Sequence, residues 1–211
     1  MSFKAAVVQF LVMTALFAGV GGPAEARDIK LVGFGDSLMA GYQLPAGDAY
    51  PAKLEAALKA KGYDVSISNA GVSGDTTRDG LARADWSVPD GTDGVILELG
   101  ANDALRGIAP EETEKNLVAM IERFKERGIA VMLVGMMAPP NMGDDYAKRF
   151  NAIYPQLAET YGLPLYPFFL DGVVTVKGTQ LSDGMHPDAK GVDIMVEKSL
   201  PFAEKFIKAI P

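Results

Sequence analysis

Ile29-Lys30-Leu31-Val32-Gly33-Phe34-Gly35-Asp36-Ser37-Leu38 is the stretch on which the fold turns. Residues 29–34 form a short apolar run that ends in a Gly-rich turn, the pattern of a buried strand delivering its last residues to a sheet edge. Four further runs share that character, at residues 64–68, 94–99, 129–136 and 165–168. Segments of helical period lie between and after them, at residues 50–61, 76–84, 111–127, 145–161 and 187–209. Leu54 and Leu58 in the first are spaced i, i+4, and Gly62, Gly128 and Gly162 each follow a helical run where a left-handed cap favours glycine. Alternation of this kind predicts a three-layer α/β/α fold with a parallel sheet between helices. Ligands of such sheets sit beyond the carboxyl ends of the strands, so the loops that follow strands carry the chemistry.

Outward from this core, residues 1–26 read as a secretory signal. A basic start at Lys4, an apolar stretch from Ala5 to Val20 and the small-residue site Ala24-Glu25-Ala26 follow the signal-peptidase pattern. The stretch is interrupted by Gln9 and is short of the roughly 20 residues that span a bilayer. Residues 27–211 are then expected as one domain, periplasmic or secreted, with no membrane anchor after signal removal and monomeric by default. The chain has no cysteine, which excludes thiol catalysis and cysteine metal sites. A net charge of −7 without a long basic run argues against nucleic-acid partners.

Three loops after strands hold the reactive groups. Ser37 follows the first strand, where its hydroxyl faces the expected cleft but needs a base and oxyanion donors to act as a nucleophile. The chain's single histidine, His186, supplies the base, and Asp183 three residues earlier is placed to accept its Nδ1–H and leave Nε2 for Ser37. The Ser37 N–H, the N–H of Gly74 in the loop after the second strand, and the Asn102 amide after the third are the expected oxyanion donors. Asp36 and Asp103 adjoin these loops and are read as structural acids that bond nearby backbone. Met39, Leu44, Leu105, Ile108, Met142 and Met185 are candidates to line a substrate groove, whereas Met136 and Met137 are read as core.

Gly35-Asp36-Ser37-Leu38, Gly74, Gly100-x-Asn102-Asp103 and Asp183-x-x-His186 occur in the order and spacing of the SGNH, or GDSL, hydrolases, and the chain resembles that family through essentially all of its length beyond the signal. Gly41-Tyr42, Tyr50-Pro51, Asn69-Ala70-Gly71 and Ala138-Pro139-Pro140-Asn141 are similar to its small exported arylesterase, thioesterase and lysophospholipase group. The resemblance implies a flavodoxin-like sheet of five parallel strands, a Ser37–His186–Asp183 triad, an oxyanion hole of Ser37, Gly74 and Asn102, and cleavage of carboxylic esters without metal or organic cofactor. Aryl esters, acyl thioesters, lysophospholipids and acetylated sugars all stay open as the small-molecule substrate, and a non-catalytic binding role is the remaining rival.

Other classes fail on the motifs. A dinucleotide site opened by Gly33-x-Gly35 requires glycine where Leu38 stands, and no Gly-x-x-x-x-Gly-Lys-Ser/Thr string occurs. The elbow of an α/β-hydrolase requires glycine two residues after Ser37, where Met39 stands.

Overall fold

The computed structural model describes residues 28–174 and 176–210. The predicted signal segment lies outside them. In chain order the elements are β1 (Ile29–Gly35), α1 (Ser37–Ala40), α2 (Tyr50–Ala60), β2 (Val65–Gly71), α3 (Thr77–Ser87), β3 (Gly94–Glu98), α4 (Ala101–Leu105), α5 (Pro110–Glu126), β4 (Ala130–Val134), α6 (Asp144–Tyr161), β5 (Leu165–Tyr166) and α7 (Ala189–Lys208). Among the described residues the sheet has five strands in the order β2-β1-β3-β4-β5, all paired in parallel.

Helices cover both faces, as the apolar character of β1, β3 and β4 requires. On one face lie α2 and α7, where Phe206 fills the space beside Gly94 and Tyr50 meets Phe169 edge-on at 4.7 Å. On the other lie α3, α5 and α6, where Phe34 of β1 packs edge-on against Phe124 at 5.9 Å. Each such fully buried side chain contributes roughly 1.5–3 kcal/mol of transfer free energy. None of the helices described is long and apolar enough to cross a membrane.

The five expected strands and five expected long helices are all present, with ends displaced by a few residues. Two short helices escaped sequence reading: α1 and α4, of four and five residues, are too short to express a hydrophobic period. The end of β2 moves by three residues, as does that of α3. The pairing of β2 with β1 continues through Asn69, Ala70 and Gly71, which the sequence places in a loop. Small residues are needed there because a Cβ on Gly71 would collide with the Ala40 backbone.

Candidate active site

Ser37 is the first residue of α1, directly beyond β1. The turn that presents it is tied from several sides. Asp36 caps α1 by accepting the Leu38 N–H at 2.9 Å, and Arg83 of α3, itself buried, donates to the Gly35 carbonyl at 2.8 Å. The same guanidinium bonds Ala70 O at 2.8 Å, pairs with Asp75 at 2.6 Å and lies 4.1 Å over the Phe34 ring. One arginine thus joins the ends of β1 and β2 to the loop after β2.

Asp183 and His186 lie in the turn before α7. Asp183 Oδ1 accepts the N–H groups of Met185 and His186 at 2.9 and 3.0 Å, and Oδ2 meets His186 Nδ1 at 2.6 Å. These three donors hold the Asp183 carboxyl well below its ordinary range, at about 2, so it is an ionised acceptor and the imidazole carries its proton on Nδ1. His186 Nε2 is left as an acceptor 2.9 Å from Ser37 Oγ. Gln180 bridges to Pro187 across the base of the turn, and the Asp188 N–H donates to Thr179 O, fixing the loop against α7. Tyr42 packs on the other side of the imidazole, ring centroids 4.4 Å apart. Sequence reading assigned Tyr42 no role, because nothing in the chain order places residue 42 beside residue 186.

Asn102 projects from the first turn of α4 and donates to Asp36 Oδ2 at 3.1 Å and to Asp75 O at 3.0 Å. The second bond sets its amide against the Asp75–Thr76 peptide, one residue beyond Gly74. Gly74 has φ +88°, and a Cβ there would meet nothing closer than Arg106 at 3.8 Å. Glycine is therefore favoured here by the backbone angle. Burial pushes the Asp36 carboxyl up to about 6, against the opposing pull of the Leu38 and Asn102 donors. Asp103 is buried and accepts from the Thr77 N–H and hydroxyl at 2.8 and 2.5 Å and from Thr113 at 3.2 Å, the structural role expected of it.

Ser37, Asn102 and His186 open onto a cleft of about 610 Å³. Its walls are apolar: Met136, Met137, Ala138, Pro139 and Pro140 follow β4, and Phe168, Leu170 and Val174 follow β5. Of the six predicted groove residues, Leu105 and Met185 line this cleft. Met39 does not: it is fully buried beneath Gly33 and Gly35, because two residues along a helix turn a side chain by about 200° from Ser37. Leu44 packs against the core, half-buried Ile108 uses its carbonyl to accept the Tyr146 hydroxyl, and Met142 approaches Gly107. The reverse correction holds for Met137, read as core but half-exposed on the cleft wall because β4 ends at Val134, whereas Met136 is buried in the core as expected and borders the cleft floor.

Comparison with known proteins identifies the family. The GDSL-like Lipase/Acylhydrolase family matches over residues 34–194. The chain is 42% identical to the arylesterase of Vibrio mimicus over 84% of its own length and 88% of the relative's. It is 39% identical to thioesterase 1/protease 1/lysophospholipase L1 of Escherichia coli (strain K12), over 78% of each chain. The crystal structure of AlinE4, an SGNH-hydrolase family esterase, superposes with a TM-score of 0.72 at 44% identity, covering 88% of this chain and 98% of that one. The chain belongs to the GDSL-like lipase/acylhydrolase family. It is a carboxylic ester hydrolase of the serine type.

Proposed function

We propose that Ser37 is the nucleophile, His186 its general base and Asp183 the group that orients the imidazole. The observation that carries this reading is the run of contacts from Ser37 Oγ to His186 Nε2 at 2.9 Å and from His186 Nδ1 to Asp183 Oδ2 at 2.6 Å, at the edge of an apolar cleft. Attack of Oγ on the ester carbonyl transfers the hydroxyl proton to Nε2. The Ser37 and Gly74 N–H groups and the Asn102 amide receive the oxyanion, with Asn102 sharing one of the two hydrogens it now gives to Asp36 and Asp75. His186 returns the proton to the leaving alcohol or thiol. A water deprotonated by the same nitrogen then releases the acid from the acyl-enzyme.

The substrate class follows from the cleft. An almost wholly apolar wall of this volume suits an acyl or aryl group better than an acetylated sugar, whose hydroxyls would lose water without gaining partners. The enzyme acts as an exported monomer once residues 1–26 are removed.

Hydrolysis of p-nitrophenyl esters from acetate to palmitate tests both parts. Turnover rises beyond acetate, and Ser37→Ala lowers kcat by up to ~10⁶-fold. Full activity in Ser37→Ala sinks the nucleophile, and a preference for acetate sinks the acyl assignment.

A further inference from the structure

Beneath the nucleophile turn lies a carboxyl group that the mechanism above does not use. Glu98, the last residue of β3, is fully buried. Its register partner on β4 is Val134, whose own partner on β5 is Tyr166, so the three share one row on the α2/α7 face. Gly35 continues this row on β1. A Cβ there would collide with the Glu98 carboxyl, so glycine opens the space that the carboxyl enters.

Its two oxygens differ sharply. Oε2 accepts the Asp36 N–H at 3.3 Å, and the Met39 N–H also favours the ionised form of this carboxyl, so the group meets the chain on both sides of Ser37. Oε1 has no hydrogen-bond partner among the described residues. A buried carboxyl group with an unpaired oxygen is costly even when neutral, and persists when its contacts do something an apolar residue cannot. Here the contacts fall on N–H groups one residue before and two residues after the nucleophile. Asp36, held by one of them, is the acceptor for the Asn102 amide. A connected path thus runs from Glu98 through the Asp36 backbone to an oxyanion donor.

We infer that Glu98 is a positioning residue for ester cleavage, bracing the Asp36–Ser37–Met39 turn from below and holding the Asn102 amide in line through Asp36. The inference rests on the assignment of Ser37 as nucleophile. Glu98 acts as the neutral acid. Burial, and the Asp36 carboxyl beside it, raise its proton affinity well above the ordinary carboxylate range. The other titratable groups around it are Tyr50 from α2, Tyr154 from α6 and, along its row, Tyr166, all raised by burial and none able to neutralise a charge. Arg83 lies against the opposite side of the turn, at Gly35 O, with its charge committed to Asp75. Ionisation of Glu98 at high pH would therefore place a second buried negative charge beside Asp36 and disturb the turn.

Two variants of the full chain test this, with p-nitrophenyl butyrate as substrate and Ser37→Ala as background. Glu98→Gln keeps an uncharged acceptor of the same shape, and Glu98→Leu keeps the volume but not the acceptor. Glu98→Leu is expected to lose about 10- to 100-fold in kcat with KM nearly unchanged, and Glu98→Gln to stay within about threefold of the parent, since displacements below 1 Å at a reacting group carry effects of that size. The alkaline limb of the parent's kcat profile, from Glu98 ionisation, is expected to vanish in Glu98→Gln. Parent-like kcat in folded Glu98→Leu overturns the inference. If Glu98→Leu does not fold, the profile of Glu98→Gln decides, and one superimposable on the parent's overturns it. Turnover in the parent that survives Ser37→Ala removes the nucleophile assignment, and this inference with it.

Discussion

The two halves of the site are built in opposite ways. The His186 side is local: apart from the contact with Ser37 itself, the hydrogen bonds that shape Asp183–His186 come from within a few residues, and the turn lies at the surface. The Ser37 side is assembled from afar and buried. Glu98 stands 62 residues from Asp36, Arg83 stands 48 from Gly35, and Asn102 stands 66 from Asp36. Under the proposed roles, a base that must accept and return a proton needs only a correct tautomer and a short reach, which one carboxylate supplies. A nucleophile and its oxyanion donors must keep their place while charge develops, and a preorganised, buried frame supplies that.

Among the residues that support Ser37 and His186, breaking the local half is expected to have the largest effect on activity and little on stability. Asp183→Asn removes the ionised acceptor and offers an amide that can donate to Nδ1, reversing the tautomer, so kcat is expected to fall by ~10⁴-fold. Steady-state kinetics together with a urea transition check this, and a loss explained by unfolding would erase the distinction between the halves.

Breaking the distant half is expected to cost stability first. Arg83→Met removes the charge but keeps much of the stem, leaving Asp75 and the carbonyls of Gly35 and Ala70 without their donor. Loss of one partner from a buried pair costs about 3–5 kcal/mol. Urea unfolding measures it, and a change under 1 kcal/mol would mean that the arginine does not hold the frame together.

The smallest effect sharpens the comparison through pH, because the two aspartates are shifted in opposite directions. Asp36 binds its proton more tightly when folded, near 6 against an ordinary 3.8, so the stability linked to it is full below about 4 and is lost as pH rises through 6. The difference is on the order of 3 kcal/mol. Asp183, lowered to about 2, contributes in the reverse sense: its stability is present above the ordinary carboxylate value and lost as pH falls through 2. Between pH 4 and 6 the parent is therefore expected to lose stability that Asp36→Asn retains, with Asp183→Asn tracking the parent's slope. Parallel curves for parent and Asp36→Asn would contradict the buried charge at Asp36.

The contrast also accounts for what was legible. Asp183-x-x-His186 could be read because a three-residue separation sets the geometry by itself, and Ser37 because a strand followed by a Gly-rich turn delivers its next residue to the cleft. The groove was read less well. Met39 and Met137 are both methionines beside strand ends, yet one turns under the sheet and the other faces the cleft. Which way each points depends on where a helix of four residues begins and where β4 stops, and hydrophobic pattern does not resolve either.

By itself the sequence determined the alternation of strands and helices, and with it the parallel three-layer fold, because burial on two faces imposes a periodicity that any window of the chain reveals. It also determined the order of the reactive residues. Only the tertiary structure decided that Tyr42 stacks on His186, that Arg83 ties β1 to β2, that Glu98 enters the space left by Gly35, and that the loops after β4 and β5 form the cleft. Those contacts join residues tens of positions apart, and their strength comes from burial among neighbours that exist only after the sheet has formed.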